Sequence, residues 1–105
     1  MYAIKIVDDE ATVFHEADEI VYNRIDFKDK DEFEEKAEEL QPDYYTGSDP
    51  VNKDGVSCGG YFLYLKLYSN PDSSIYKKVF VRPWSIIYVM QGGKTIEVIR
   101  VDEIK

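Results

Sequence analysis

Apolar side chains recur at every second position over much of this chain, the spacing that gathers them on one face of an extended strand. Tyr2, Ile4 and Ile6 alternate with Ala3, Lys5 and Val7, which predicts a strand over residues 2–7. Asp8-Asp9-Glu10 makes an acidic turn, followed by an extended stretch over residues 12–15 and an apolar cluster at Ile20-Val21-Tyr22. The pattern leaves open whether these last two are one bent strand or two. In the second half, Tyr61, Leu63, Leu65 and Leu67 fall on one face, and Phe62, Tyr64, Lys66 and Tyr68 on the other. Asn70-Pro71-Asp72 supplies a turn, and residues 75–82 form the next strand, whose end Pro83 turns into an edge or a bend. Residues 86–90 and 95–101 flank Gly92-Gly93, a hairpin signal.

The clearest helical segment is Lys30 to Leu40. Phe33, Ala37 and Leu40 recur at i, i+4 and i+7 and make one apolar stripe. Asp29 is placed to cap the first turn, with Glu32 three residues on, and Gln41-Pro42 ends the helix. Glu34, Glu35, Glu38 and Glu39 form a water-facing acidic side. Glu38 and Glu39 sit near the C-terminus, where they oppose the helix dipole by a few tenths of a kcal/mol each. Twenty residues rich in Pro, Asp, Asn, Ser and Gly follow, from Gln41 to Gly60. A loop of that length is usually functional or mobile, so it is a second candidate site. The expected fold is a single α+β domain over residues 1–105, mostly antiparallel β-sheet in the order β-β-α-β-β-β-β. One acidic amphipathic helix packs on that sheet.

Charge changes the picture most. Residues 1–54 hold 17 Asp and Glu against 6 Lys and Arg, whereas residues 55–105 hold 4 against 7, for a net charge of −8. Such a field disfavours direct binding of nucleic acid, because phosphate recognition requires clustered Lys and Arg, and favours a basic partner. With 14% aromatics, the composition is that of a folded domain. The nine tyrosines serve either sheet faces or a binding surface. A single cysteine, Cys58, excludes an internal disulfide framework. The first residues lack a basic region followed by an apolar one, and no apolar run approaches the ~20 residues that span a bilayer, so the expectation is a cytoplasmic, non-membrane protein.

Several motifs fail on inspection. Gly93-Lys94-Thr95 resembles the end of a phosphate-binding loop, but Tyr88 stands where that motif requires Gly, and a strand follows rather than a helix. Asn52-Lys53-Asp54-Gly55 resembles part of a calcium loop, but Pro50 and Tyr61 occupy two of its ligand positions; turn formation is the expected role of Asp49 and Asp54, with a weaker carbonyl-and-carboxylate ion site as the alternative. Cys58 and His15, the lone thiol and the lone imidazole, have no spacing that supports a catalytic dyad, and together they cannot fill a structural zinc site. The abundant carboxylates are those of a solvated face rather than an acid–base pair in a cleft. No metal, cofactor or enzymatic activity is therefore expected.

The expected function is that of a non-enzymatic protein-binding module. Asp29, Asp31, Glu34, Glu35, Glu38 and Glu39, extended by Asp8-Asp9-Glu10 and by Glu16, Asp18 and Glu19, would dock on the basic groove of a nucleic-acid-handling protein. Tyr44 and Tyr45 are the aromatic anchors. This reading requires the acids to gather in one continuous patch. In size and charge the chain resembles the small acidic inhibitors of phages and mobile elements, including anti-restriction and anti-CRISPR proteins; the resemblance is compositional and implies host-defence evasion by mimicry of nucleic acid. The alternative is a binder of a small anionic ligand such as a nucleotide signal. It would use the C-terminal bases (Lys66, Lys77, Lys78, Arg82, Lys94, Arg100) with Tyr64, Tyr68, Tyr76 and Trp84, chiefly Tyr64, Lys66, Arg82 and Trp84, with the 41–60 loop as lid. Tyr-rich edges also suit self-association.

Overall fold

Alternation of apolar and polar residues produces strands, and each strand is placed by what its two faces can bury. The computed structural model describes residues 1–8, 11–45, 59–70 and 75–105. Its elements are β1 (Tyr2–Val7), β2 (Thr12–Ala17), β3 (Glu19–Phe27), α1 (Lys30–Leu40), β4 (Tyr44–Tyr45), β5 (Gly60–Tyr68), β6 (Tyr76–Val81), β7 (Ile86–Gln91) and β8 (Lys94–Arg100), with a 3-10 turn at Val101–Glu103. They form two four-stranded sheets, β2-β1-β7-β8 and β3-β5-β6-β4. All neighbours are antiparallel except β4 and β6.

The faces predicted for β5 are the observed ones. Leu63, Leu65 and Leu67 join Val79 and Val81 of β6 and pack on Ile4, Ile6, Ile87, Val89 and Ile99 of the first sheet. The opposite face of the second sheet carries Phe62, Tyr64 and Phe80, on which α1 sets Phe33, Ala37 and Leu40. Phe33 meets Phe27 and Phe62 edge to face, with ring centroids 5.2 and 5.7 Å apart. The result is three layers: first sheet, second sheet, helix.

The helix begins and ends where its sequence dictates. Asp29 Oδ1 accepts from the Glu32 backbone N–H at 2.8 Å. Gln41, ahead of Pro42, leaves helical space into the left-handed region at φ 49°, and its N–H donates to the Ala37 carbonyl at 2.8 Å. Two connections move the chain between sheets. β2 and β3 are separate strands divided at Asp18, whose N–H donates to the Tyr68 carbonyl at 2.7 Å, and each belongs to a different sheet. The second crossing is the Arg82–Ser85 turn, closed by Ser85 N–H donating to the Arg82 carbonyl at 3.1 Å, with Pro83 presetting its backbone angle.

The α+β class, the antiparallel bias and the single helix are as expected. Three details differ. Three strands precede the helix, because the stretch at 12–15 and the cluster at 20–22 each grow into a full strand. There are two sheets, since β5 and β6 are apolar on both faces and one helix covers only one of them. The expected loop at 41–60 begins with a short strand, in which Tyr44 and Tyr45 run parallel to Val79 and Phe80. Most of that loop, with Asp49, Asp54 and Cys58, lies outside the described residues, as do Asp9, Glu10 and the turn residues Pro71 and Asp72.

Two glycine positions are required by backbone shape. Gly92-Gly93, at φ 61° and 80°, forms the two-residue β7–β8 turn that the phosphate-loop reading would have forbidden. Gly59, at φ 82°, passes so close to β3 that an added Cβ would lie 2.8 Å from the Phe27 carbonyl oxygen. Leu65→Ala should destabilise the protein by ~2–5 kcal/mol in denaturant unfolding, because Leu65 is fully buried. In the same measurement Gly59→Ala should be clearly destabilising, while Gly92→Ala, with open space around it, should cost less.

Candidate functional site

Helical periodicity decides where the acids go. With Phe33, Ala37 and Leu40 against the sheet, Asp31, Glu34, Glu35, Glu38 and Glu39 point to water, and all five are exposed. Only two ion pairs touch this helix among the described residues, Lys28–Glu32 and Lys30–Glu34, each at 3.9 Å. Asp31, Glu35, Glu38 and Glu39 have no such pair. Spacings of four residues set Glu34 beside Glu38 and Glu35 beside Glu39, like charges that each cost a few tenths of a kcal/mol. Asp29 belongs to the cap rather than to this face.

The other predicted members scatter. Tyr44 and Tyr45 are adjacent in a strand and so point to opposite faces. Tyr45 meets Phe80 edge-on on the helix side, with centroids 5.5 Å apart. Tyr44 turns toward the first sheet and meets His15 edge-on at 5.2 Å. Glu16 pairs across from Ala3 on the outer face of the first sheet, on the far side of the molecule from α1. Asp18 holds the N-terminal ammonium at 3.6 Å. Glu19 opens β3, eight residues from the helix-covered end at Phe27. Among the described residues, the predicted acids that share one surface are therefore those on the solvent side of α1, while Glu16, Asp18 and Glu19 lie elsewhere.

The alternative set divides in two. Arg82 and Trp84 lie in the turn between sheets, the guanidinium 5.3 Å from the indole ring and Arg82 buried. Tyr64 and Lys66 stand instead on the outer face of the second sheet, Tyr64 buried in the aromatic cluster under α1 and Lys66 just beyond it. There register joins Lys66 to other members of the wider basic and aromatic set. Lys66 lies directly across from Lys78, and Tyr68 directly across from Tyr76. The Lys66 ammonium is 5.5 Å from both the Tyr64 and the Tyr76 ring centroids, and the Tyr68 and Tyr76 rings are 4.9 Å apart. Both lysines and both tyrosines were visible as alternate residues of two neighbouring strands. Their pairing was not, because the connecting turn fixes it.

Burial, then the phenol of Tyr76 with which it shares a hydrogen bond, and further Tyr68 and Asp43, push the Tyr64 phenol up to about 12. His15, on β2, is held below its ordinary 6.5 by burial and then by the Lys77 charge. A separate groove of about 310 Å³ runs past Met1, Ala3, Phe14, Glu16 and Met90. It belongs to the outer face of the first sheet, where Phe14, Ile96 and Val98 are exposed. No cluster of three or more His, Cys, Asp or Glu suited to a metal occurs among the described residues. No helix among them is long and apolar enough to cross a membrane.

The chain matches no protein-family model, no curated protein and no solved structure. The geometry of its own residues therefore carries the functional argument.

Both shifted groups make stability depend on pH. Below 6.5 the unfolded chain takes up a proton at His15 that the native state resists, so stability should fall on acidification through that range. His15→Gln should flatten this part of a stability-against-pH curve. Above 10 the unfolded chain releases the Tyr64 proton while the native state holds it to about 12, so stability should also fall as pH rises between these values. A tyrosinate absorbance titration should find the late phenol in the wild type and lose it in Tyr64→Phe.

Proposed function

We propose that the protein is a non-enzymatic binding module that presents the solvent side of α1 to a basic surface, the groove of a nucleic-acid-handling protein. The observation that carries this reading is the ion-pairing of the helix. Asp31, Glu35, Glu38 and Glu39 are exposed and have no cationic partner among the described residues. Their mutual repulsion and the position of Glu38 and Glu39 at the negative end of the helix dipole both work against folding. A face that costs stability in the isolated protein and would gain it back against Lys and Arg is suited to electrostatic docking. Carboxylates arranged this way speed encounter with a cationic groove and exclude nucleic acid from it. Of the two tyrosines, Tyr45 lies on the helix side of the second sheet, against Phe80, whereas Tyr44 is turned toward the first sheet. Inhibition of a host-defence nuclease or another nucleic-acid-binding protein is the biological role to which this chemistry is suited.

Affinity capture from a cell lysate, read by mass spectrometry, tests the proposal. At low salt the wild type should retain a basic nucleic-acid-binding protein, and high salt should release it. Replacing Glu34, Glu35, Glu38 and Glu39 together by Lys should abolish capture while leaving the melting temperature unchanged or slightly raised. Capture that survives both salt and charge reversal would overturn it.

A further inference from the structure

Strand register sets an electrostatic conflict on the outer face of the second sheet. Lys66 and Lys78 are cross-strand partners, so their side chains rise from the same face at neighbouring positions. Like charges placed directly opposite each other destabilise a sheet. Neither ammonium is relieved by an acid, since no carboxylate lies within 4 Å of either among the described residues. The Asp43 carboxylate accepts the Lys78 backbone N–H at 2.9 Å through its Oδ2 and acts electrostatically on Tyr64 of the same face, without forming an ion pair with either lysine. Glu19 sits one row away, opposite Tyr68. Both lysines are half-buried rather than extended into water, so solvent screens them only in part.

Aromatic rings frame Lys66. Tyr64 and Tyr76 flank the Lys66 ammonium, and Tyr68 packs on Tyr76 at 41°. The Tyr64 phenol stays protonated, and so neutral, throughout the physiological range. Two adjacent cations beside neutral phenols and flat rings match a dianion joined to a flat ring.

We propose that this face binds a small phosphate monoester carrying an aromatic base, the chemistry of a nucleoside monophosphate. Lys66 and Lys78 hold the phosphate and the Tyr68–Tyr76 pair offers a stacking surface for the base. The site is separate from the acidic side of α1, whose carboxylates point away from the sheet, and the two can fail independently.

Calorimetric titration of the full chain with AMP, inorganic phosphate and adenosine tests the site. AMP should bind, phosphate more weakly and adenosine weakest, with affinity falling as salt rises. Lys66→Gln and Lys78→Gln should each reduce AMP affinity about tenfold, and Tyr76→Ala should reduce AMP affinity while sparing that for phosphate. Lys5→Gln, on the outer face of the other sheet, should change nothing. Without ligand, Lys78→Gln should melt at or above the wild-type temperature, because it relieves a repulsion. Absence of AMP binding at millimolar concentration, or binding indifferent to both lysines, would overturn the proposal. So would a loss of several degrees in apo Lys78→Gln, which would make that lysine a structural residue. Binding of phosphate as tight as that of AMP would overturn the aromatic half of the ligand.

Discussion

The structure depends on burying β5 and β6 on both faces. Leu63, Leu65, Leu67, Val79 and Val81 require one apolar cover, while Phe62, Tyr64 and Phe80 require another. Neither the helix nor the remaining strands can supply both. The first sheet therefore closes one side and α1 the other, and the three layers follow from two strands whose buried stretches are apolar on both faces. The aromatic side is the more directional of the two. Phe62 and Phe80 lie 4.1 Å apart at their centroids, and Phe33 packs edge-on against both, at 5.7 and 6.3 Å, which fixes the place of α1 on the sheet.

Because the helix is only 11 residues long, it covers one end of a face built by strands of up to nine. At a rise of ~1.5 Å per residue against ~3.3 Å, such a helix is roughly half as long as the strands beneath it. The uncovered end holds the polar and amphipathic residues Lys66, Tyr68, Tyr76 and Lys78. The tyrosine-rich composition is thus explained in part by a boundary: rings there pack against neighbours on one edge while the phenol remains near water.

Elements with strong local patterns were legible in the sequence. The cap at Asp29, the stripe Phe33-Ala37-Leu40, the two faces of β5 and the Gly92-Gly93 turn all rest on interactions spanning few residues. What was not legible rests on contacts distant in sequence. Nothing local says that β2 and β3 part company at Asp18, because the deciding hydrogen bond goes to Tyr68, fifty residues on. Nor does the repeated Tyr-Tyr of β4 announce a parallel pairing, which is made by Asp43 and Lys78. For the functional surfaces the same division holds. Helical spacing placed the acids of α1 on one face, but the wider patch failed because Glu16 sits in a different sheet from the one that the helix covers. Lys78 escaped notice as the partner of Lys66 because register, not spacing, brings them together.

The fold keeps its two unlike charge groups apart when it could have neutralised them. The acids of α1 project from the side of the helix remote from the sheet, while Lys66 and Lys78 stand on the sheet floor beyond the helix end. The sequence maintains like-charge neighbours in both places, each at a small cost in stability. Two uncompensated surfaces of opposite sign on one small domain are what a protein with two kinds of charged ligand would present. A surface serving solubility alone would intermix its charges.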